Sequence, residues 1–550
     1  MKNNNRKKGA DQKSVFFMGF ILFSVGVSGF FLLTGIFQRG KLDRIFSQEV
    51  AVFTEVKLNS SSLKKLKALF PEADLEVLGN DLTGNRFNLQ EDLAPWIGPR
   101  VGLGIFPDKE FVVAASFRDK VKAKKFLEKF KLPDEEFQIT KFKGAEIWTP
   151  KFSSQVALGI YRGYVFWGSS ENALRRILES KDKIADQENY QSITGDLPQS
   201  WIMSLFIDSE KLVDLLASAE SFSARKPLLE AFSQTLPALG IRAKLKNKGL
   251  FLQGKVLSEE GVFQEREISR SDNLMPQLAQ FAPRDTLFFM NGSDLYEKYL
   301  HTKDFLEAFH PQFSLIFDGL LRANSRQLFG EKFDFEQDFL ALMHGQYAVI
   351  LDFQNALEPF VNFTLITGFG SPDNEQNLSQ IKDVIHFAQG QFSAEVKEIE
   401  LPDGTTREEL VATDTKNIPI EKVDYQGQTY FTVQNKSAQG KEFSYAFAEG
   451  YFIFSTHEQG IISVLSAYLN KDSLAENEDF RKSVLFGFSP SESYGFFNFA
   501  KFSAALELLY SGDQRGDLLS EFLRTNLRNL SFARKVFPTE IFWTGQLFGR

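Results

Sequence analysis

His301, His310, His344, His386 and His457 are the side chains of this 550-residue chain best suited to ligate a metal or carry a proton near neutral pH. No two of them stand four residues apart and no H-E-x-x-H sequence occurs, so no helix offers the imidazole pair of a zinc site. Ser-x-x-Lys, a nucleophile and base spacing in some hydrolases, occurs at Ser61 to Lys64, Ser62 to Lys65 and Ser223 to Lys226. The motif is short and the chain rich in lysine, so chance accounts for all three. Gly102-Leu103-Gly104 sits inside a strand pattern and lacks the third glycine and following helix of a phosphate cradle. Asp92 and Asp338 occupy matching places at the starts of two helical patterns, where a carboxylate offsets the helix dipole. Trp96, Trp148, Trp167, Trp201 and Trp543 could stack on sugars, but four of them fall in strand patterns, which favours packing. Asn59-Ser60-Ser61 and Asn362-Phe363-Thr364 read as glycosylation acceptors only in a eukaryotic secretory pathway. No catalytic, cofactor-binding or metal-binding residue is assigned, and no cofactor is expected.

The elements that would position any such group run through one order twice. Phe87 to Leu93, strands over Arg100 to Phe106 and Phe111 to Phe117, and a helix from Asp119 to Phe130 are followed later by Phe333 to Phe339, strands over Gln346 to Phe353 and Val361 to Phe369, and a helix after Pro372. Phe142-Lys143-Gly144 answers to Tyr425-Gln426-Gly427, and hairpins turning at Arg162-Gly163 and Glu449-Gly450 follow. Tyr190 precedes Lys211 by 21 residues, as Phe480 precedes Lys501. These spacings predict two homologous copies, 48–257 and 281–548, joined by a linker over 258–280. Phe87 to Gly144 is 57 residues and Phe333 to Gly427 is 94, so the second copy carries an insertion, read as a hairpin near 394–430. Short turns between strands imply antiparallel pairing, and runs apolar at successive positions imply covered faces. The expected class is α+β, mostly antiparallel sheets with packed helices.

The uncharged run 15–37 has 23 residues, and a helix that long covers roughly 34 Å, enough to cross a bilayer core. It predicts a transmembrane helix rather than a signal peptide, whose apolar stretch is shorter. Lys2, Arg6, Lys7, Lys8 and Lys13 lie before it, in a basic tail 1–14, against Arg39, Lys41 and Arg44 after it, which predicts a cytoplasmic N-terminus. Cysteine is absent, which excludes thiolate metal sites and cysteine nucleophiles and fits a bacterial extracytoplasmic protein. A net charge of -8 with mixed signs argues against nucleic acid as a partner.

Glu91-Asp92-Leu93-Ala94-Pro95-Trp96-Ile97-Gly98, Phe142-Lys143-Gly144 and Pro283-Arg284-Asp285-Thr286-Leu287 resemble the bacterial envelope family known as domain of unknown function 3352. The second copy departs from the first by replacing Pro95-Trp96 with Leu342-Met343 or its neighbours. The resemblance implies a membrane-anchored, extracytoplasmic protein and brings no activity with it. The leading expectation is a non-enzymatic module that binds an envelope protein or an apolar ligand. An envelope-polymer hydrolase with a dispersed acid/base pair and a structural spacer are the alternatives.

Overall fold

The computed structural model describes residues 42–57, 95–129, 137–151, 156–217, 226–246, 249–260, 277–309, 311–329, 334–343, 345–355, 358–368, 394–400, 405–412, 420–433, 443–487, 493–509, 523–524, 527–537 and 539–549. The chain divides into two compact units, one formed by Met1–Glu259 with Glu540–Phe542 and Phe548–Arg550, the other by Glu260–Thr539 with Trp543–Leu547.

The first unit contains strands β1 (Val52–Lys57), β2 (Ile97–Ile105), β3 (Phe111–Phe117), β4 (Phe137–Phe142), β5 (Ala145–Pro150), β6 (Ala157–Tyr161), β7 (Tyr164–Gly168), β8 (Met203–Asp208), β9 (Ala238–Lys246) and β10 (Gly249–Leu257). Its helices are α1 (Lys120–Lys129), α2 (Glu171–Glu179), α3 (Glu188–Asp196), α4 (Ser209–Ala217) and α5 (Lys226–Thr235). Antiparallel ladders set the order β4-β5-β6-β7-β3-β2-β1-β8-β9-β10. Two of its hairpins turn on X-Gly pairs in which both residues have positive φ, Lys143 (47°) with Gly144 (83°) and Arg162 (44°) with Gly163 (93°). That geometry matches the twist of the flanking strands, and glycine adopts it without steric cost.

Both faces of this ladder are packed. Helices α2 and α3 and the short turn Leu42–Arg44 cover one face, burying Phe46, Phe53, Tyr190 and Phe206 in one cluster. Trp96, Ile97, Val101 and Ala123, with Phe126 beside them, form a smaller core. Gly104 in β2 is required by the first of these layers, since a β-carbon there would overlap the Phe46 ring.

The second unit contains β11 (Phe288–Gly292), β12 (Tyr347–Asn355), β13 (Glu358–Gly368), β14 (Ala394–Glu400), β15 (Thr406–Ala412), β16 (Ile420–Tyr425), β17 (Gln428–Val433), β18 (Phe443–Ala448), β19 (Tyr451–Ser455), β20 (Ser493–Asn498) and β21 (Leu527–Phe537). The last strand, β22 (Glu540–Gly549), has residues in both units. The helices of the second unit are α6 (Leu295–Phe309), α7 (Pro311–Phe329), α8 (Glu458–Leu469), α9 (Glu478–Gly487) and α10 (Phe499–Leu509). Its ladder runs β16-β17-β18-β19-β13-β12-β11-β20-β21, the same succession of neighbours as β4 to β9 in the first unit. Strands β14 and β15 pair only with each other, in a separate two-stranded sheet.

Two expectations are corrected here. The α+β class, a transmembrane helix followed by two copies built on mostly antiparallel sheets with packed helices, gives way to a mostly antiparallel β architecture in which twenty strands belong to one sheet. Hydrophobic periodicity reports that a segment is a strand with covered faces, but carries no information about which edges meet. Membrane and single-pass character are likewise unsupported: among the described residues no helix is long and apolar enough to cross a membrane. The longest described helix, α7, has 19 residues and is interrupted by Asp318, Arg322 and Arg326. The basic tail 1–14 and the run 15–37 lie outside the described residues, as do Phe87 to Leu93, the helix after Pro372 and linker residues 261–276.

Candidate functional site

A cavity of about 120 Å³ opens in the second unit between the N-terminal half of α8 and the β12–β13 hairpin. Three elements and one loop build it. Strand β12 supplies Ile350, Asp352 and Phe353, β13 supplies Asn362 and Thr364, α8 supplies Gln459, Gly460, Ser463 and Val464, and Pro283 closes one side. Asp352 is the one charged residue of the lining. Asn362 and Thr364 share a strand face because side chains alternate with period two, and Asp352 joins them because it is Asn362's direct cross-strand partner.

The polar lining is held by a hydrogen-bonded chain that starts behind it. Thr364 Oγ1 donates to Ser455 Oγ (3.0 Å), which donates to Asn362 Oδ1 (2.9 Å). Thr456 Oγ1 donates to the same Asn362 oxygen at 3.3 Å and accepts from the Phe363 backbone N–H at 3.1 Å. Asn362 and Thr364 are buried, so each must be satisfied internally, and this network fixes the asparagine's orientation. Lys501 Nζ of α10 donates to both Asp352 oxygens, at 2.8 and 3.1 Å. Gly460 is required where α8 crosses this network, because a β-carbon would overlap Ser455 Oγ and the Asn362 amide. Next to this network, His457 occupies the N-cap position of α8 without a side-chain capping bond, with Nδ1 3.1 Å from Thr456 Oγ1.

A second polar cluster is buried in the first unit. Glu55 of β1 is 2% exposed and pairs with Arg100 Nη1 of β2 at 2.6 Å. Asp43 and Tyr190 complete it, with the phenol O–H donating to Asp43 Oδ2 at 3.4 Å, while the other Asp43 oxygen is buried without a partner among the described residues. Burial pushes the Glu55 carboxyl up to about 7; Arg100 opposes that rise and the Asp43 charge adds to it. Burial likewise raises the Tyr164 phenol to about 12 and the Tyr190 phenol further still.

The residues singled out in the sequence are dispersed. His301 lies on α6 and His457 at the start of α8; His310, His344 and His386 lie outside the described residues. Asp338 accepts from the Asp334 backbone N–H at 2.8 Å, a local bond at a helix start. Asp92 and the serines of all three Ser-x-x-Lys matches lie outside the described residues. Gly102 and Gly104 lie within β2 against Leu42 and Phe46. Trp96 and Trp148 are buried in the core, and Trp201 lies beneath Lys57 Nζ at 3.4 Å and Arg242 at 5.4 Å. No group of three His, Cys, Asp or Glu side chains converges for a metal among the described residues. Sequence reasoning passed over Asp352, Gln459 and Ser463. A usable signal was present in Asn362-x-Thr364, two polar residues on one strand face between Phe360 and Ile366.

The profile of the family described as "Protein of unknown function (DUF3352)" matches residues 21–535. The chain belongs to the DUF3352 family. No curated protein matches this DUF3352 member. Among solved structures, crystal forms III, I and IV of TP0453 are similar to it, at 11, 10 and 10% identity and TM-scores of 0.24, 0.22 and 0.25. The alignments cover 40% of the DUF3352 chain and 80, 79 and 81% of the TP0453 chains, and likeness at that level carries no argument about fold or function.

Proposed function

We propose that this protein is a non-enzymatic binding module whose ligand seat is the cavity beneath α8. The observation that carries the reading is a concave site where Asp352, Asn362, Thr364 and Ser463 stand beside Ile350, Phe353 and Val464, with Asn362 held in place by Ser455 and Thr456. Small-molecule sites have this composition: an apolar wall and a few polar groups held in fixed directions. The polar residues of the lining favour a small polar ligand over the apolar one expected from the covered sheets. Extracytoplasmic placement, resting on the cysteine-free composition, belongs to the same proposal. So does the descent of 48–257 and 281–548 from one ancestral segment, for which the shared succession of ladder pairs is the support.

Native mass spectrometry of the full chain, purified under mild conditions, tests the reading. The expected result is an added small-molecule mass on the wild type that is absent from Ser463→Phe, whose ring fills the cavity. An added mass retained in that variant, or a wild type that carries none and acquires none from a library of small polar metabolites, overturns it.

A further inference from the structure

The two ladders can be superposed residue by residue. Ile105 pairs with Val52 and Phe111, and Leu351 pairs with Phe288 and Phe363, so Phe106 and Asp352 hold corresponding positions. Phe111 N–H donates to Ser169 Oγ at 3.0 Å, and Phe363 N–H donates to Thr456 Oγ1 at 3.1 Å, which aligns Glu110 with Asn362. Helix α2 begins at Glu171, two residues after Ser169, and α8 begins at Glu458, two residues after Thr456. Counting from those starts, Leu174 falls with Ile461, Ile177 with Val464, and Arg176 with Ser463. The cavity of the second unit therefore occupies the place that the Arg176 side chain fills in the first.

What surrounds Arg176 shows which chemistry that place suits. Its guanidinium lies 4.0 Å from the centroid of the Phe106 ring. It donates to Glu49 Oε2 at 3.1 Å, Asp108 Oδ2 at 2.6 Å and Glu110 Oε2 at 3.4 Å. An aromatic face and carboxylate oxygens together form a cation site. In the second unit Ser463 stands where Arg176 stands in the first, and a carboxylate, Asp352, still lines the space beside the Ser463 hydroxyl. Lys501 takes one lone pair on each Asp352 oxygen, and an ionised carboxylate has about four such sites, so acceptor capacity remains for a bidentate donor.

We infer that the cavity beneath α8 binds a guanidinium group supplied by a separate molecule, in the place where the first unit carries Arg176 of its own chain. This deepens the binding-module reading and rests on it. The planar fork of five N–H donors suits a site with one carboxylate and one hydroxyl at its wall. A neutral urea of the same shape lacks the charge that Asp352 would compensate. Two sources share this chemistry, a free guanidine metabolite and an arginine side chain of a polypeptide.

Isothermal titration calorimetry of the full chain separates these cases with agmatine for the free source, Nα-acetylarginine amide for the polypeptide source, and Nα-acetylcitrulline amide as the uncharged isostere. At least one guanidinium probe is expected to bind, and the citrulline compound at least ten-fold more weakly. Ser463→Arg, which rebuilds the internal cation on a half-exposed helix position, is expected to abolish the heat while leaving the circular dichroism spectrum unchanged. Asp352→Asn should weaken binding at least ten-fold, and Lys501→Ala should tighten it by removing the competing cation. Equal binding of the citrulline compound, retention of binding in Ser463→Arg, weaker binding in Lys501→Ala, or silence from both guanidinium probes overturns the inference. A neutral or anionic compound that binds the wild type and is blocked in Ser463→Arg overturns the cation assignment alone, and leaves the binding-module reading standing.

Discussion

Glu55→Gln is the substitution whose effect follows most directly from the structure. Glu55 is 2% exposed, and its carboxyl is pushed from an ordinary 4.5 up to about 7, chiefly by burial. A folded-state value above the unfolded one means that the folded protein holds this proton more tightly. The associated stability is fully present below pH 4.5 and is lost as pH rises through about 7. Across that window the slope approaches about 1.4 kcal/mol per pH unit, giving roughly 3 kcal/mol in total. The attraction of Arg100 at 2.6 Å is already contained in that shift, so the total is a net cost of ionising Glu55 in place. Glutamine has the shape of the protonated acid and cannot ionise. Urea unfolding at pH 5, 6, 7 and 8, followed by tryptophan fluorescence in a Trp543→Phe background, reads the first unit, because Trp96, Trp148, Trp167 and Trp201 all belong to it. Wild type is expected to lose about 2.5 kcal/mol from pH 5 to 8 relative to Glu55→Gln. Parallel pH profiles for the two proteins would refute the reasoning.

Three further outcomes follow from the same geometry. Arg100→Gln leaves the buried Glu55 without its cation and should cost about 3–5 kcal/mol at pH 8. Adding Glu55→Gln should recover part of that loss in urea unfolding at pH 8, because the uncompensated buried charge is then removed. Phe480→Ala, which removes a ring packed edge-on against both Phe289 and Phe496, should lower the stability of the second unit by about 3–5 kcal/mol in differential scanning calorimetry. Gly240→Ala would drive a β-carbon into the Ile193 side chain beneath α3, and a loss of about 1–3 kcal/mol is expected in chemical unfolding of the first unit.

Local chemistry was legible in the sequence wherever it depends on neighbours along the chain. The turns at Lys143-Gly144, Arg162-Gly163, Gln426-Gly427 and Glu449-Gly450 all have positive φ at both residues, a conformation that glycine at the second position announces. Strands β2 and β3 and helix α1 were legible from hydrophobic period for the same reason. The absence of cysteine settled what chemistry the chain lacks. Strand neighbours were not legible, because backbone hydrogen bonds between strands leave no mark on side-chain pattern, and twenty strands proved to share one sheet. Glu55 reads as an ordinary polar residue of a short strand, since both faces of β1 are covered and alternation cannot separate inside from outside. Only the fold brings Arg100, 45 positions away, onto it. The cavity has the same character: Asp352 and Ser463 are unremarkable in sequence, and they face one space only because α8 crosses the β12–β13 ladder at Gly460, where a side chain would not fit.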